Sequence, residues 1–194
     1  MIIIDNGHGR ETPGKRSPDG RLMEWSWTRE IAKRIVERLR SMGYNACLLV
    51  PENNDIPLSV RCMRVNNACR EEGATNVLLV SIHNNAAGNG GTWREAQGFG
   101  AYVSLNASVR SMRLAEDLCN AAAERGVKVR KPKPTQQFWE QNLAICRDTN
   151  CPAVLTENLF MDNRADVDWL LSEQGKQTIV DLHVAAIDRY ILDY

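Results

Sequence analysis

No stretch of the sequence approaches the roughly 20 consecutive apolar residues that a membrane-spanning helix requires, which excludes insertion into a bilayer by that route. Nor is there an excess of charge of either sign. Lys and Arg number 24 and Asp and Glu number 24, so the overall balance gives no electrostatic footprint for nucleic acid or for an anionic membrane. The one locally basic stretch, RGVKVRKPKP, reads as a solvated lysine-rich loop, although such a loop could also touch a charged polymer. Repeats and low-complexity linkers are missing as well. With 194 residues and 43% hydrophobic content the chain suits one compact domain, 1–194, with a real core and no separate binding module.

The six cysteines, Cys47, Cys62, Cys69, Cys119, Cys146 and Cys151, form no CxxC pair and no paired zinc-finger spacing. Most sit among apolar residues, where a free thiol behaves as a small hydrophobe, and this favours a reducing compartment over a disulfide framework. The opening MIII lacks the basic region and long apolar run of a secretory signal. The expectation is therefore synthesis in the cytoplasm, without an evident signal peptide or with one removed.

Apolar, β-branched runs predict strands over 2–5, 45–50, 76–82, 98–104, 143–146 and 153–157. Amphipathic periods predict helices over 24–41, 58–72, 108–125, 165–171 and 173–192, with Gly43 and Gly126 closing the first and third. Continuous apolar strands alternating with such helices imply an α/β fold, with a central, mostly parallel or mixed sheet of about six strands flanked by helices on both faces. Chemistry in these folds gathers where the strands end.

Three strands run into residues able to do chemistry. The first leads to Asp5-Asn6-Gly7-His8-Gly9, the third to Ser81-Ile82-His83-Asn84-Asn85, and a late one, PAVLTEN, delivers Glu157. A single such histidine would read as a hydrogen-bonded structural imidazole; two at parallel strand ends, in a chain with three histidines, point to a shared site. The third, His183, lies close to the helical stripe of Ile179, Leu182, Ala186 and Tyr190 and reads as a packed helix residue.

Two imidazoles need a further ligand to hold a metal. Glu24 lies on the helix face continued by Trp27, Thr28, Ile31 and Ile35, where an unpaired charge is costly and a cation would compensate it. Glu30 falls on the polar face with Arg34 and Glu37, and Glu11 lies in a Gly- and Pro-containing loop. His8, Glu24 and His83 make the ligand set of a catalytic zinc with one open position. The plain alternative for Glu24 is a helix N-terminal carboxylate favoured by the dipole. Glu157, near but outside such a ligand set, is placed to take a proton from water and pass it to a leaving amine. Its alternative is an ion pair with a base such as Arg164.

Taken together, these residues resemble the zinc-dependent N-acetylmuramoyl-L-alanine amidases of type 3. Asp5 to Gly9 resembles that family's Asp-Pro-Gly-His-Gly with Asn6 in place of proline, and Glu24 stands where its glutamate ligand opens the first helix. Leu58, Arg61 and Asn66-Asn67 are similar to its Leu-x-x-Arg helix leading to asparagine, and SIHNNA to its Ser-Ile-His-x-Asn-Ala. CPAVLTENLFMDNRADVDWL resembles the closing elements and puts the catalytic glutamate at Glu157, with Asn158 and Leu159 where a small residue and a glycine are common.

The resemblance spans Ile2 to about Leu192. It implies hydrolysis of the amide between N-acetylmuramic acid and L-alanine in peptidoglycan, one zinc per chain, and action on the cell wall by phage-type release or after export. A monomer is expected. The loop after His83 and the segment KPKPTQQFWEQN are expected to border the groove, with Asn85, Trp93, Arg61 and Trp139 as candidate substrate contacts and Phe138 as local packing. Another zinc amidohydrolase or peptidase would use the same ligands. A non-catalytic wall-binding module would have no need of Glu157.

Overall fold

Both faces of the central strands are buried, which is why their apolar runs are continuous and not alternating. In the computed structural model, which describes residues 1–193, the strands are β1 (Ile2–Asn6), β2 (Ala46–Leu48), β3 (Leu78–Asn85), β4 (Gly100–Val103), β5 (Trp139–Glu140) and β6 (Ala153–Phe160). They form one sheet in the order β2-β1-β3-β6-β4-β5. β2, β1, β3 and β6 run parallel; β4 pairs antiparallel to β6, and β5 parallel to β4.

The helices are α1 (Glu24–Ser41), α2 (Leu58–Glu72), α3 (Val109–Glu124), α4 (Ala144–Arg147), α5 (Arg164–Leu171) and α6 (Glu173–Leu192). Ile2, Ile4, Val80, Ile82 and Val154 face a thick layer supplied by α1, α3, α5 and α6. Ile3, Leu79, Ala153 and Leu155 face the other way, onto Cys62, Val65 and Cys69 of α2 and Ile145 and Cys146 of α4. Among the described residues that second layer has these two α-helices and a short turn at Ala74. It leaves a cleft of about 480 Å³ over the sheet, lined among others by His8, Lys15, His83, Ile145, Leu155 and Glu157.

The predicted helices over 24–41, 58–72 and 173–192 form with those bounds, and Gly43 and Gly126 follow α1 and α3 with φ of 91° and 73°, the left-handed geometry of a helix C-terminus. The strand expected over 143–146 is instead α4, a single turn in which the Leu143 and Ala144 carbonyls accept from Arg147 and Asp148 N–H. Four apolar residues carry no period that separates strand from buried helix. The sixth strand is Trp139–Glu140, two residues long. Strands β3 and β6 each continue three residues past their expected ends, so His83 and Glu157 sit within the ladder. Among the described residues no helix is long and apolar enough to cross a membrane.

Candidate metal centre and catalytic glutamate

His8 follows β1 in a left-handed conformation, φ 59°, that a non-glycine residue adopts only under constraint. Two guanidinium groups supply it: Arg29 Nη1 donates to the His8 carbonyl at 3.0 Å and Arg61 Nη2 at 3.1 Å. Arg61 is itself anchored, donating to Asp5 Oδ1 and the Asn6 carbonyl at 2.7 Å each and to the Ile56 carbonyl at 2.8 Å. Ser81 completes the cluster by donating to Asp5 Oδ2 at 2.5 Å. Gly7 is required by its neighbour: a Cβ there would stand 2.4 Å from His83 ring atoms.

Glu24, the first residue of α1, is fully buried. Its Oε1 accepts the Asn84 N–H at 2.9 Å and lies 3.3 Å from His83 Nδ1; its Oε2 lies 3.5 Å from His8 Nε2 and has no hydrogen-bond donor among the described residues. The two imidazoles meet edge to face, with centroids 5.0 Å apart and planes at 87°. One donor atom from each of His8, Glu24 and His83 falls within 4.8 Å of the others. Two imidazole nitrogens and a carboxylate whose buried Oε2 lacks a donor fit a zinc ion. Burial drives the His8 pKa down to about 4, which leaves the ring neutral with a free lone pair. Burial also opposes a proton on His83, but the hydrogen bond and charge of Glu24 prevail and raise its pKa. Those same histidines outweigh burial at Glu24 and lower its pKa.

Glu157 is the Cα partner of His83 across the β3–β6 ladder. Its Oε2 is buried without a hydrogen-bond partner among the described residues, and burial, offset in part by His83, raises its pKa to about 7. Arg164 is not its counterion, because the guanidinium lies over the Trp93 ring, 4.6 Å from the centroid. Beyond Glu157 the ladder slips, pairing Asn85 with Phe160, and Leu159 takes φ 62°. Asn158 fills the irregularity: its Nδ2 donates to the His83 carbonyl at 3.0 Å, while its own carbonyl accepts from Asn84 Nδ2 at 2.8 Å. Asn158, which departs from the family's usual small residue, thus ties β6 to the strand of His83, a role that nothing local in the sequence signals.

The four remaining candidates are scattered. Arg61 is 3% exposed and braces the His8 turn. Asn85 caps the Ala86 N–H at 2.8 Å and turns toward the Tyr102 hydroxyl. Trp93 packs beneath Arg164, and Trp139 stacks on Tyr102 with centroids 6.0 Å apart; neither lines the cleft beside Glu157. Phe138 is in the core, as expected. His183 is also packed, with Nδ1 on the Ile179 carbonyl at 2.8 Å and Nε2 on Thr156 Oγ1 at 3.0 Å. Arg29, Lys15, Tyr102 and Arg130 gave no signal in the sequence, since nothing in their spacing distinguishes them from surface or strand residues.

The sequence matches the Amidase_3 family, described as N-acetylmuramoyl-L-alanine amidase, over residues 2–189. The chain belongs to this amidase family. It is similar to N-acetylmuramoyl-L-alanine amidase AmiC of Neisseria meningitidis serogroup B, at 27% identity over 229 residues covering 98% of this chain and 52% of that protein. It is similar also to N-acetylmuramoyl-L-alanine amidase CwlM of Bacillus licheniformis, at 31% identity covering 97% of this chain and 67% of that one. The amidase-family chain thus spans about half to two thirds of the length of these curated relatives. Its fold is shared with the crystal structure of an N-acetylmuramoyl-L-alanine amidase from Clostridium difficile 630, with a TM-score of 0.81, 24% identity, and 98% and 95% of the two chains covered.

Proposed function

We propose that the chain hydrolyses the amide joining the lactyl group of N-acetylmuramic acid to L-alanine in peptidoglycan, with one zinc per chain held by His8, Glu24 and His83. The observation that carries this reading is the placing of Glu157, unpaired and with its pKa raised to about 7, directly across the ladder from His83 in a chain matched to the amidase family. When bound, zinc would supply a Lewis acid for the scissile carbonyl and would lower the pKa of a coordinated water to about 7.

The protein's own groups do the rest. Arg29 and Arg61 fix the carbonyl of His8, and Asn158 fixes that of His83, so both imidazoles approach Glu24 from set directions. His8 presents a neutral ring at neutral pH. Glu157 accepts the proton of the attacking water and returns it to the departing amine nitrogen; a pKa near working pH serves both halves. Peptidoglycan is the partner and the cell wall the place of action.

Digestion of purified peptidoglycan tests the proposal. Free stem peptides beginning in L-alanine should appear by mass analysis, vanish after chelation and return with added zinc. Cleavage inside the peptide or between sugars would refute it.

A further inference from the structure

The row of functional groups on the open face of the sheet continues past Glu157. The next strand is β4, and the Cα partner of Glu157 there is Gly100. A Cβ on Gly100 would stand 3.0 Å from Tyr102 Cε2 and 3.5 Å from its hydroxyl, so the glycine makes room for the phenol to lie back along β4 toward Glu157. Asn85 and Arg130 turn polar groups toward that hydroxyl. Arg130 is held in place by two rings, its guanidinium carbon lying 5.4 Å from the Trp139 centroid and 4.8 Å from that of Phe160. Among the described residues this half-buried arginine forms no ion pair with any carboxylate, although Arg21, Arg113 and Arg189 do.

A guanidinium fixed on two aromatic faces has already lost much of its rotamer freedom, yet its forked donors lack the partner they match best, a carboxylate. The sheet order says where such a partner would come from. His8 follows β1, His83 belongs to β3, Glu157 to β6, and Tyr102 and Trp139 to β4 and β5. A glutamate that hands its proton to the leaving nitrogen has the amine-side product against it, and an extended peptide that leaves the cleft on the side away from His83 passes over β4 and β5, outside the cleft itself. We propose that Arg130, presented by Trp139, Phe160 and Tyr102, is a specificity-determining residue that binds a free carboxylate on the peptide released by the enzyme. The inference rests on the amidase reading above and extends it to a substrate class, stem peptides with an unamidated acidic residue.

The test is calorimetric binding to the Glu157→Gln protein, loaded with zinc, of two peptides that begin in L-alanine and carry either an acidic residue or its carboxamide. The carboxylate peptide should bind about tenfold or more tightly than the carboxamide, the range of one charge-assisted hydrogen-bonded contact. Adding Arg130→Gln should bring the ratio to about 1. Arg130→Lys, which keeps the charge and loses the fork, should leave a preference of only a few-fold and serves if the glutamine variant does not fold. Equal binding of the two peptides, or a tenfold preference that survives both substitutions, overturns the assignment. Hydrolysis of peptidoglycan by the wild type is scored separately. Carboxylate preference without release of alanine-terminated peptides would overturn the amidase reading alone, and release without preference would overturn the Arg130 subsite alone.

Discussion

His83 and Glu157 face each other as Cα partners on neighbouring parallel strands, so a candidate metal ligand and a carboxyl with a pKa raised to about 7 stand side by side in the ladder. Glu24 reaches the same imidazole from a helix, 3.3 Å from Nδ1, and its pKa is lowered. Two glutamates around one histidine, shifted in opposite directions, are suited to different tasks.

The first prediction separates those tasks. Glu24→Ala removes a charged donor and should lose zinc and, with it, activity. Glu157→Gln keeps shape and hydrogen bonding but cannot take a proton, so it should retain stoichiometric zinc while turnover falls by about 100- to 10,000-fold. Elemental analysis alongside peptidoglycan hydrolysis decides the matter. Loss of zinc from Glu157→Gln, or full metal and activity in Glu24→Ala, would reverse the assignments.

A second prediction concerns pH. A general base must be ionised, so kcat/KM should rise with pH through an acid limb whose midpoint lies at or below about 7, the bound cation lowering the Glu157 pKa from its metal-free value. In chelated protein the same group affects stability with the opposite trend. The folded carboxyl keeps its proton up to about 7, whereas the ordinary value is 4.5; its contribution is complete below the lower pKa and declines as pH rises to the higher one. Metal-free Glu157→Gln should therefore melt above metal-free wild type at pH 8 and show no advantage at pH 4.5. Equal melting temperatures at both pH values would show that Glu157 is not perturbed.

Arg61 gives a third. Asp5 and Arg61 are 1% and 3% exposed and joined at 2.7 Å, so Arg61→Ala strands a buried carboxylate, at a cost of about 3–5 kcal/mol. It also removes one of the two donors to the His8 carbonyl, and zinc affinity should fall in whatever protein remains folded. Arg61→Lys cannot serve Asp5, Asn6, His8 and Ile56 together and should recover only part of the loss. Chemical denaturation and zinc titration of both variants provide the check; an Arg61→Lys protein equal to wild type in both would show that the forked contacts carry nothing.

The sheet, the long helices and the clustering of His8, Glu24 and His83 were legible because each leaves a local mark. Apolar runs give β1, β3 and β6, a helical period gives α1 with Glu24 on its buried face, and the two histidines follow strand-forming runs. What escaped has no local mark. Residues 143–146 are too few to show a period, and Trp139–Glu140 is a strand only because β4 lies beside it. Arg61 matched a motif, but that it braces His8 depends on a contact across 53 positions. Arg130 and Tyr102 meet because the segment around Val129 bridges Phe99 just before β4, a pairing across about 30 positions.

The last prediction concerns Leu159, where a residue with a side chain occupies φ 62°. Two effects oppose each other there. The left-handed backbone costs a non-glycine residue about 1–2 kcal/mol, and replacement by glycine would recover that. The Leu159 side chain, however, is 7% exposed and packed in the larger core layer, and deleting a buried leucine costs about 2–5 kcal/mol. Burial is the larger, so Leu159→Gly should destabilise the protein despite its better backbone. Leu159→Ala loses nearly the same packing and keeps the strain. It should therefore be less stable than Leu159→Gly by about 1 kcal/mol, the reverse of the order found at ordinary helix and strand positions, where glycine is the worse of the two. Urea unfolding of the two variants measures the difference directly. An alanine variant as stable as the glycine variant, or more so, would mean that the bulge after Glu157 relaxes out of the left-handed region and that Leu159 stores no strain beside the site.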